Sequence, residues 1–191
     1  MELDTAIKTR RSIRKYALDA KGNPEKVDIE KVIDAIDAAR YAPMAGGLYS
    51  LRFILVSERE KIQKIADAAQ QNFIANAAFV IVVCTDPKQT QRFYPERAER
   101  YLRQQAGAAI QNILLKLTEA GLGSVFIGHF YDQGIRDILE IPEDIFVEAL
   151  IPVAKPIPNL KLPSKSLMDM RDILFLEKWK GKTYKKKIVR V

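Results

Sequence analysis

Apolar residues recur along this chain in two rhythms, and the switches between them predict its elements. Ile29, Val32, Ile33 and Ile36 repeat at helical spacing. Asp28 stands where an N-cap belongs, with Lys31 at the position a capping box gives to Glu or Gln, and the helix is expected to stop before Pro43. Leu3, Ala6 and Ile7 predict a shorter helix over residues 3–10. Gly22-Asn23-Pro24 marks a turn between the two. Phe53-Ile54-Leu55-Val56 reads as a strand, followed by a helix over 58–69. Residues 78–85, short, continuous and β-branched, read as a buried strand. Residues 86–95 read as a polar loop with two aromatics.

A long helix is predicted over 96–120. From Ala106 to Leu115 it is apolar nearly all round, the pattern of a helix at the centre of a fold or at a subunit interface. Gly121 is placed to end it. Val125-Phe126-Ile127 predicts a strand closed by Gly128, Asp132 a helix cap, and 146–153 a further strand except at Glu148. Pro152, Pro156, Pro158 and Pro163 predict an extended, irregular stretch, and Ser166 the start of a short helix. Helices and strands alternate unevenly, so the expected class is α+β, a mixed three-layer domain rather than a regular doubly wound sheet.

Composition narrows the chemistry. The chain has 191 residues, 48% hydrophobic and 29% charged, enough for one domain with a sizeable core. One histidine, His129, and one cysteine, Cys84, cannot form a Cys/His zinc site or a Ser-His-Asp triad. Cys84 sits in an apolar run and reads as a buried structural thiol. No apolar run reaches spanning length, and the first ten residues carry Glu2 and Asp4 without an apolar h-region. No membrane association and a cytoplasmic location are therefore expected. The formal charge of +7 favours anionic ligands. Part of it lies in a tail with Lys178, Lys180, Lys182 and Lys185-Lys186-Lys187, which reads as a solubilising end. Nucleic-acid binding is the third functional class considered, carried by charge alone, since base-stacking aromatics are sparse and no nucleic-acid motif is present.

Gly121-Leu122-Gly123-Ser124-Val125-Phe126-Ile127-Gly128 has the glycine content of a dinucleotide fingerprint in the wrong order. That fingerprint needs strand, glycine turn, then helix, so that a pyrophosphate meets a helix N-terminus. Here the glycines follow a helix and precede a strand.

The basic stretch Arg10-Arg11-Ser12-Ile13-Arg14-Lys15-Tyr16 offers guanidinium forks and a hydroxyl suited to phosphate. It stands in order with AARYAPMAGGLYSLRFILV, QAGAAIQNILLKLTEAGLGSVFIG and a weaker block, SKSLMDM. Together these blocks resemble the FMN-dependent nitroreductase superfamily from about Thr5 to Met170. The resemblance implies a mixed, mostly antiparallel sheet flanked by helices, built as an intertwined homodimer with FMN at the interface. It assigns residues 1–170 to the FMN-binding domain. Residues 171–191 become a basic C-terminal extension packed on, or swapped with, the partner subunit.

The resemblance also implies roles. Arg10 and Ser12 match positions holding the FMN phosphate and ribityl oxygens, with Arg11 beside them. Arg14 matches a cation at the pyrimidine edge of the flavin. Pro43, Met44, Ala45, Gly46 and Gly47 match a loop that lies along the flavin from the partner subunit. Phe126, Ile127 and Gly128 match a strand whose backbone approaches the ring. Lys165, or alternatively Lys161, matches a late basic residue that reaches the phosphate. The implied activity is ping-pong hydride transfer from NADH or NADPH through flavin N5 to a nitroaromatic, quinone or flavin acceptor. His129 is a candidate proton donor, although a structural strand-end histidine is the favoured use of it. Tyr49, Phe73 and Tyr94 fit a substrate pocket or the core.

The chain departs from the family loop Ala-Pro-Ser-x-x-Asn-x-Gln-Pro-Trp. Met44 replaces Ser, Gly47 replaces Asn, Tyr49 replaces Gln, Ser50 replaces Pro and Leu51 replaces Trp. An amide contact to the flavin is thus lost or supplied elsewhere. The departure keeps a specialised or non-catalytic flavin-binding protein, such as a sensor or a flavin-consuming enzyme, as the alternative function.

Overall fold

A four-stranded sheet forms the middle of the protein, in the order β1-β2-β4-β3, with every ladder antiparallel. Its strands are β1 (Leu51–Val56), β2 (Phe79–Thr85), β3 (Gly123–Ser124) and β4 (Phe146–Ala154). The computed structural model describes residues 1–183. Met1–Pro158 forms one compact unit and the chain from Asn159 a second. The helices of the first unit are α1 (Leu3–Thr9), α2 (Ile29–Ala38), α3 (Arg59–Ala68), α4 (Lys88–Phe93), α5 (Ala98–Glu119) and α6 (Asp132–Leu139).

Alternation along β2 splits the core in two. Val80, Val82 and Cys84 face Ile62, Ile65 and Ala66 of α3 and Ile135 of α6. Ile81 and Val83 face Val32 and Ala35 of α2 and the α5 stripe Ala106, Ala109, Ile110, Ile113 and Leu117. The result is helix, sheet, helix, with β2 buried on both faces. Each fully buried isoleucine contributes about 1.5–3 kcal/mol of transfer free energy. α5 packs one buried stripe on the sheet and leaves Gln104, Gly107 and Gln111 exposed on its other side, so it is not buried all round within one chain.

Local chemistry sets the boundaries. Asp28 caps α2 by accepting from the Glu30 N–H at 3.1 Å. At the end of α5, Leu122 N–H bonds Leu117 O and Gly121 N–H bonds Thr118 O, with Gly121 at φ 74°. This is a Schellman closure, and the positive φ is what glycine permits there. It turns the chain directly into β3.

Several expected boundaries move. Residues 86–95 are not all loop: 88–93 form α4, whose Thr90 is buried. Residues 45–47 form a 3-10 turn, with Gly46 at φ 59°. Tyr131, not Asp132, is the N-cap of α6, and Asp132 is its first helical residue. The strand expected at 125–127 is interrupted. Gly123 pairs with Ala154 and Ile127 with Leu150, so the same register puts Val125 opposite Pro152. Pro152 lies inside β4, not in the irregular stretch, and has no N–H to give the edge strand. Glu148 breaks the pattern of β4 because it is the extra residue of a bulge: Val83 pairs with Ala149 and Cys84 with Val147.

The second unit contains α7 (Met170–Ile173) and a hairpin of β5 (Phe175–Leu176) with β6 (Lys182–Thr183). Asp169, rather than Ser166, caps α7, accepting from the Arg171 N–H at 2.9 Å. The Arg171 side chain bonds the same carboxylate and holds its pKa down, at about 2. Lys185-Lys186-Lys187 lie outside the described residues.

Candidate functional site

The segment that leaves α1 becomes an added edge of the sheet. Arg10 ends the helix in an extended conformation, its N–H bonded to Ala6 O. Ser12 then forms a parallel bridge to Ser124, and Ile13 N–H donates to Ser124 O at 2.9 Å. Further on, Ala17 N–H donates to Lys155 O and Tyr16 bridges Pro156. The first and third sequence blocks, more than a hundred residues apart, are thereby neighbours. Their approach requires a glycine at 123, where an added Cβ would lie 2.8 Å from Ile13 Cγ2.

Side chains of this edge sort by environment. Tyr16 is buried and its hydroxyl donates to Ile13 O at 3.0 Å. Burial pushes its pKa well up, opposed by the nearby Arg14 charge. Ser12, Arg14 and Lys15 are exposed and Arg10 is half-buried. Arg11 Nη1 donates to Lys8 O at 2.7 Å and Arg10 O at 3.1 Å, closing the last turn of α1. Among the described residues, no carboxylate pairs with Arg10, Arg11, Arg14 or Lys15, whereas eleven ion pairs form elsewhere. A basic cluster without internal counter-charge is chemically suited to a phosphate dianion.

Beside it, Phe126 is 46% exposed and Gly128 is exposed, while Ile127 is buried. Ile127 and Leu150 exchange both backbone hydrogen bonds, so the Ile127 N–H is committed to the sheet. The N–H groups of Phe126 and Gly128 make no hydrogen bond among the described residues. Both N–H groups are therefore donors that the sheet does not use.

The 43–47 loop lies elsewhere. Pro43, Met44 and Ala45 line a cleft of about 250 Å³ with Tyr101, Gln104 and Gln105 near the start of α5. Gly46 and Gly47 have φ of 59° and 72°. A Cβ on Gly46 would lie 2.5 Å from the Tyr94 hydroxyl oxygen, so the loop passes directly under that ring. Ser124 follows the other end of α5. At 1.5 Å per residue along α5, the two halves of the candidate site in one chain are on the order of 20–25 Å apart.

The remaining candidates separate. His129 lines a different cleft of about 200 Å³ with Ala68, Ala69, Gln70, Phe130 and Tyr131. Tyr49 lines an apolar groove of about 390 Å³ with Ile33, Ile36, Asp37, Arg40 and Phe53. Phe73 packs on the core, its ring centroid 6.3 Å from that of Tyr16. Tyr94 stacks edge-on against Tyr101 at 5.2 Å. Lys161 and Lys165 belong to the second unit, where Lys165 is half-buried.

Sequence reasoning noted Ser50 only as a departure from the family loop and passed over Thr90 and Gln105; all three are buried. A signal was present: Gln105 falls on the apolar stripe of α5 beside Leu102, Ala106 and Ala109, and a polar residue at a core position is informative.

Known proteins share this fold and sequence. The profile of the family described as "Nitroreductase family" matches residues 7–74 and 66–155. A protein of Archaeoglobus fulgidus, provisionally named an NADH dehydrogenase/NAD(P)H nitroreductase, is 37% identical over 155 residues, covering 78% of this chain and 83% of its own. A protein of the same provisional name from Methanothermobacter thermautotrophicus is 34% identical over 184 residues, covering 94% and 88%. The solved FMN-dependent nitroreductase of Clostridium difficile superposes with a TM-score of 0.74 at 27% identity, over 92% of this chain and 99% of that one. The chain belongs to the nitroreductase family.

Proposed function

We propose that this protein is an FMN-dependent NAD(P)H oxidoreductase acting as a homodimer, with a nitroaromatic, quinone or flavin as electron acceptor. The observation that carries the reading is the Ser12–Ser124 edge. It brings the segment that carries the cations Arg10 and Arg14 against Ser124, two residues before Phe126, whose N–H, like that of Gly128, makes no hydrogen bond among the described residues. That donor set fits FMN: cations for its phosphate, and backbone N–H groups with an exposed aromatic for its ring. Bound there, FMN would supply the redox chemistry, hydride transfer between NADH or NADPH and the acceptor.

The chain's own residues bind and orient. Arg10 and the Ser12 hydroxyl hold the phosphate, with Arg11 bracing the turn they leave. Arg14 sets positive charge at the pyrimidine edge, where it favours negative charge on the ring. Pro43, Met44, Ala45, Gly46 and Gly47 cover the ring of the partner's cofactor, because in their own chain they stand at the far end of α5. The exposed side of α5, with Gln104, Gly107 and Gln111, packs against the second copy. The described part of the basic extension, from residue 171, packs on, or is swapped with, the second copy.

Size-exclusion chromatography with flavin quantitation tests the assembly. The expected result is a dimer that carries FMN after reconstitution. A monomer that binds FMN with full affinity would contradict the shared site.

A further inference from the structure

The loop that departs most from the family pattern is also the one the structure tethers most closely. Gln105 of α5 is 4% exposed. Its Oε1 accepts from Ser50 N–H at 3.3 Å and its Nε2 donates to Leu48 O at 3.4 Å. One side-chain amide therefore serves the carbonyl of residue 48 and the N–H of residue 50. That is the pattern a parallel strand offers to a neighbour centred on residue 49. The Ser50 hydroxyl forms a second tether, 2.8 Å from Thr90 Oγ1 of α4, and both groups are buried. Ser50 O accepts from Asp86 N–H as well. No buried side-chain polar atom among the described residues lacks a partner, so the network is complete. Above it, Tyr94 lies against Gly46 and stacks on Tyr101, one helical turn from Gln105.

We propose that Gln105 is a positioning residue for the cofactor loop: with Thr90, it fixes the backbone of residues 45–50 and so the presentation of Pro43, Met44 and Ala45 to the flavin ring. The proposal rests on the flavin reading of that loop. A buried amide held by its own bonds transmits its placement to the chain it bonds. The short, glycine-rich 45–47 turn has few contacts of its own to do so. The amides absent from the loop sequence at 47 and 49 are matched by an amide entering from the helix behind it, directed to the loop backbone.

The test uses the full-length flavin-loaded protein and two variants. Gln105→Met keeps the volume and removes both bonds; Thr90→Val removes only the second tether. In both, phosphate-side contacts are intact, so FMN should remain bound within about twofold of the parent Kd. Gln105→Met should lower kcat/KM for the acceptor by roughly ten- to a hundredfold, the cost of a small misplacement of reacting groups. It should also shift the visible flavin spectrum and the midpoint potential. Thr90→Val should move the same readouts in the same direction by less. If Gln105→Met does not fold, Thr90→Val alone decides. Variants that lose thermal stability but keep the parent's spectrum, potential and kcat/KM would overturn the positioning role and leave the flavin reading standing. A parent protein that binds no FMN would overturn both.

Discussion

Ser12 and Ser124 form a parallel bridge, with Ile13 N–H on Ser124 O at 2.9 Å, joining the start of the chain to the strand that follows its longest helix. Every proposed cofactor contact of the Arg10–Arg14 segment depends on that joint. The joint in turn depends on the missing Cβ of Gly123. Gly123→Ala should therefore force Ile13 aside. The expected cost is about 1–3 kcal/mol, read from the urea midpoint, with weakened FMN binding. An unchanged midpoint and Kd would show that the edge tolerates the methyl group.

The cations of the same segment should separate by role. Arg10→Ala should weaken FMN binding by about 1.5–3 kcal/mol, roughly ten- to a hundredfold in Kd, the usual worth of a charge-assisted bond. Arg14→Ala should slow flavin reduction more than it weakens binding. Equilibrium titration and anaerobic stopped-flow reduction measure the two. Equal effects of both substitutions on both quantities would contradict the division.

These predictions use both what the sequence made legible and what it did not. Helical spacing located α2 and α5, and Gly121 located the turn into β3, because each rests on local geometry. α4 was missed because a six-residue polar helix has no periodicity to read; Thr90, its one buried residue, is placed by a bond to Ser50, forty positions away. Pro152 misled for a related reason. A proline is acceptable inside β4 only because of what faces it across the sheet, and sequence does not show that neighbour. The basic segment and the glycine block were each ambiguous alone. Folding makes them adjacent at Ser12 and Ser124, a neighbour relation that sequence does not show.

Glu148 supplies a stability test outside the site. Its side chain is 4% exposed, accepting from Thr85 Oγ1 at 2.6 Å and Arg103 Nη1 at 2.8 Å. Glu148→Ala should destabilise the fold by about 1–3 kcal/mol, because the buried Thr85 hydroxyl loses its acceptor. Arg103→Ala alone should cost less, its head being half in solvent. Chemical denaturation compares them, and the reverse order would contradict the bulge as the anchor.

Alkaline stability should depend on Cys84. Burial raises its thiol pKa from 9.0 to about 11, with Arg136 opposing weakly. The unfolded chain then binds fewer protons than the folded one between those values, so stability is full below pH 9 and falls as pH rises towards 11. Tyr16 acts in the same direction at higher pH. Cys84→Ala should flatten the decline between pH 9 and 11 in a series of urea midpoints. An identical decline in the variant would remove the thiol from the account.

Anaerobic titration of the purified, FMN-reconstituted protein with NADH and NADPH, followed by visible absorbance, tests the central claim most directly. The account predicts a yellow protein with one FMN per chain, bleached by at least one of the two donors and restored by adding a quinone or nitroaromatic acceptor. A protein that takes up no FMN, or whose bound flavin neither donor bleaches, would contradict it.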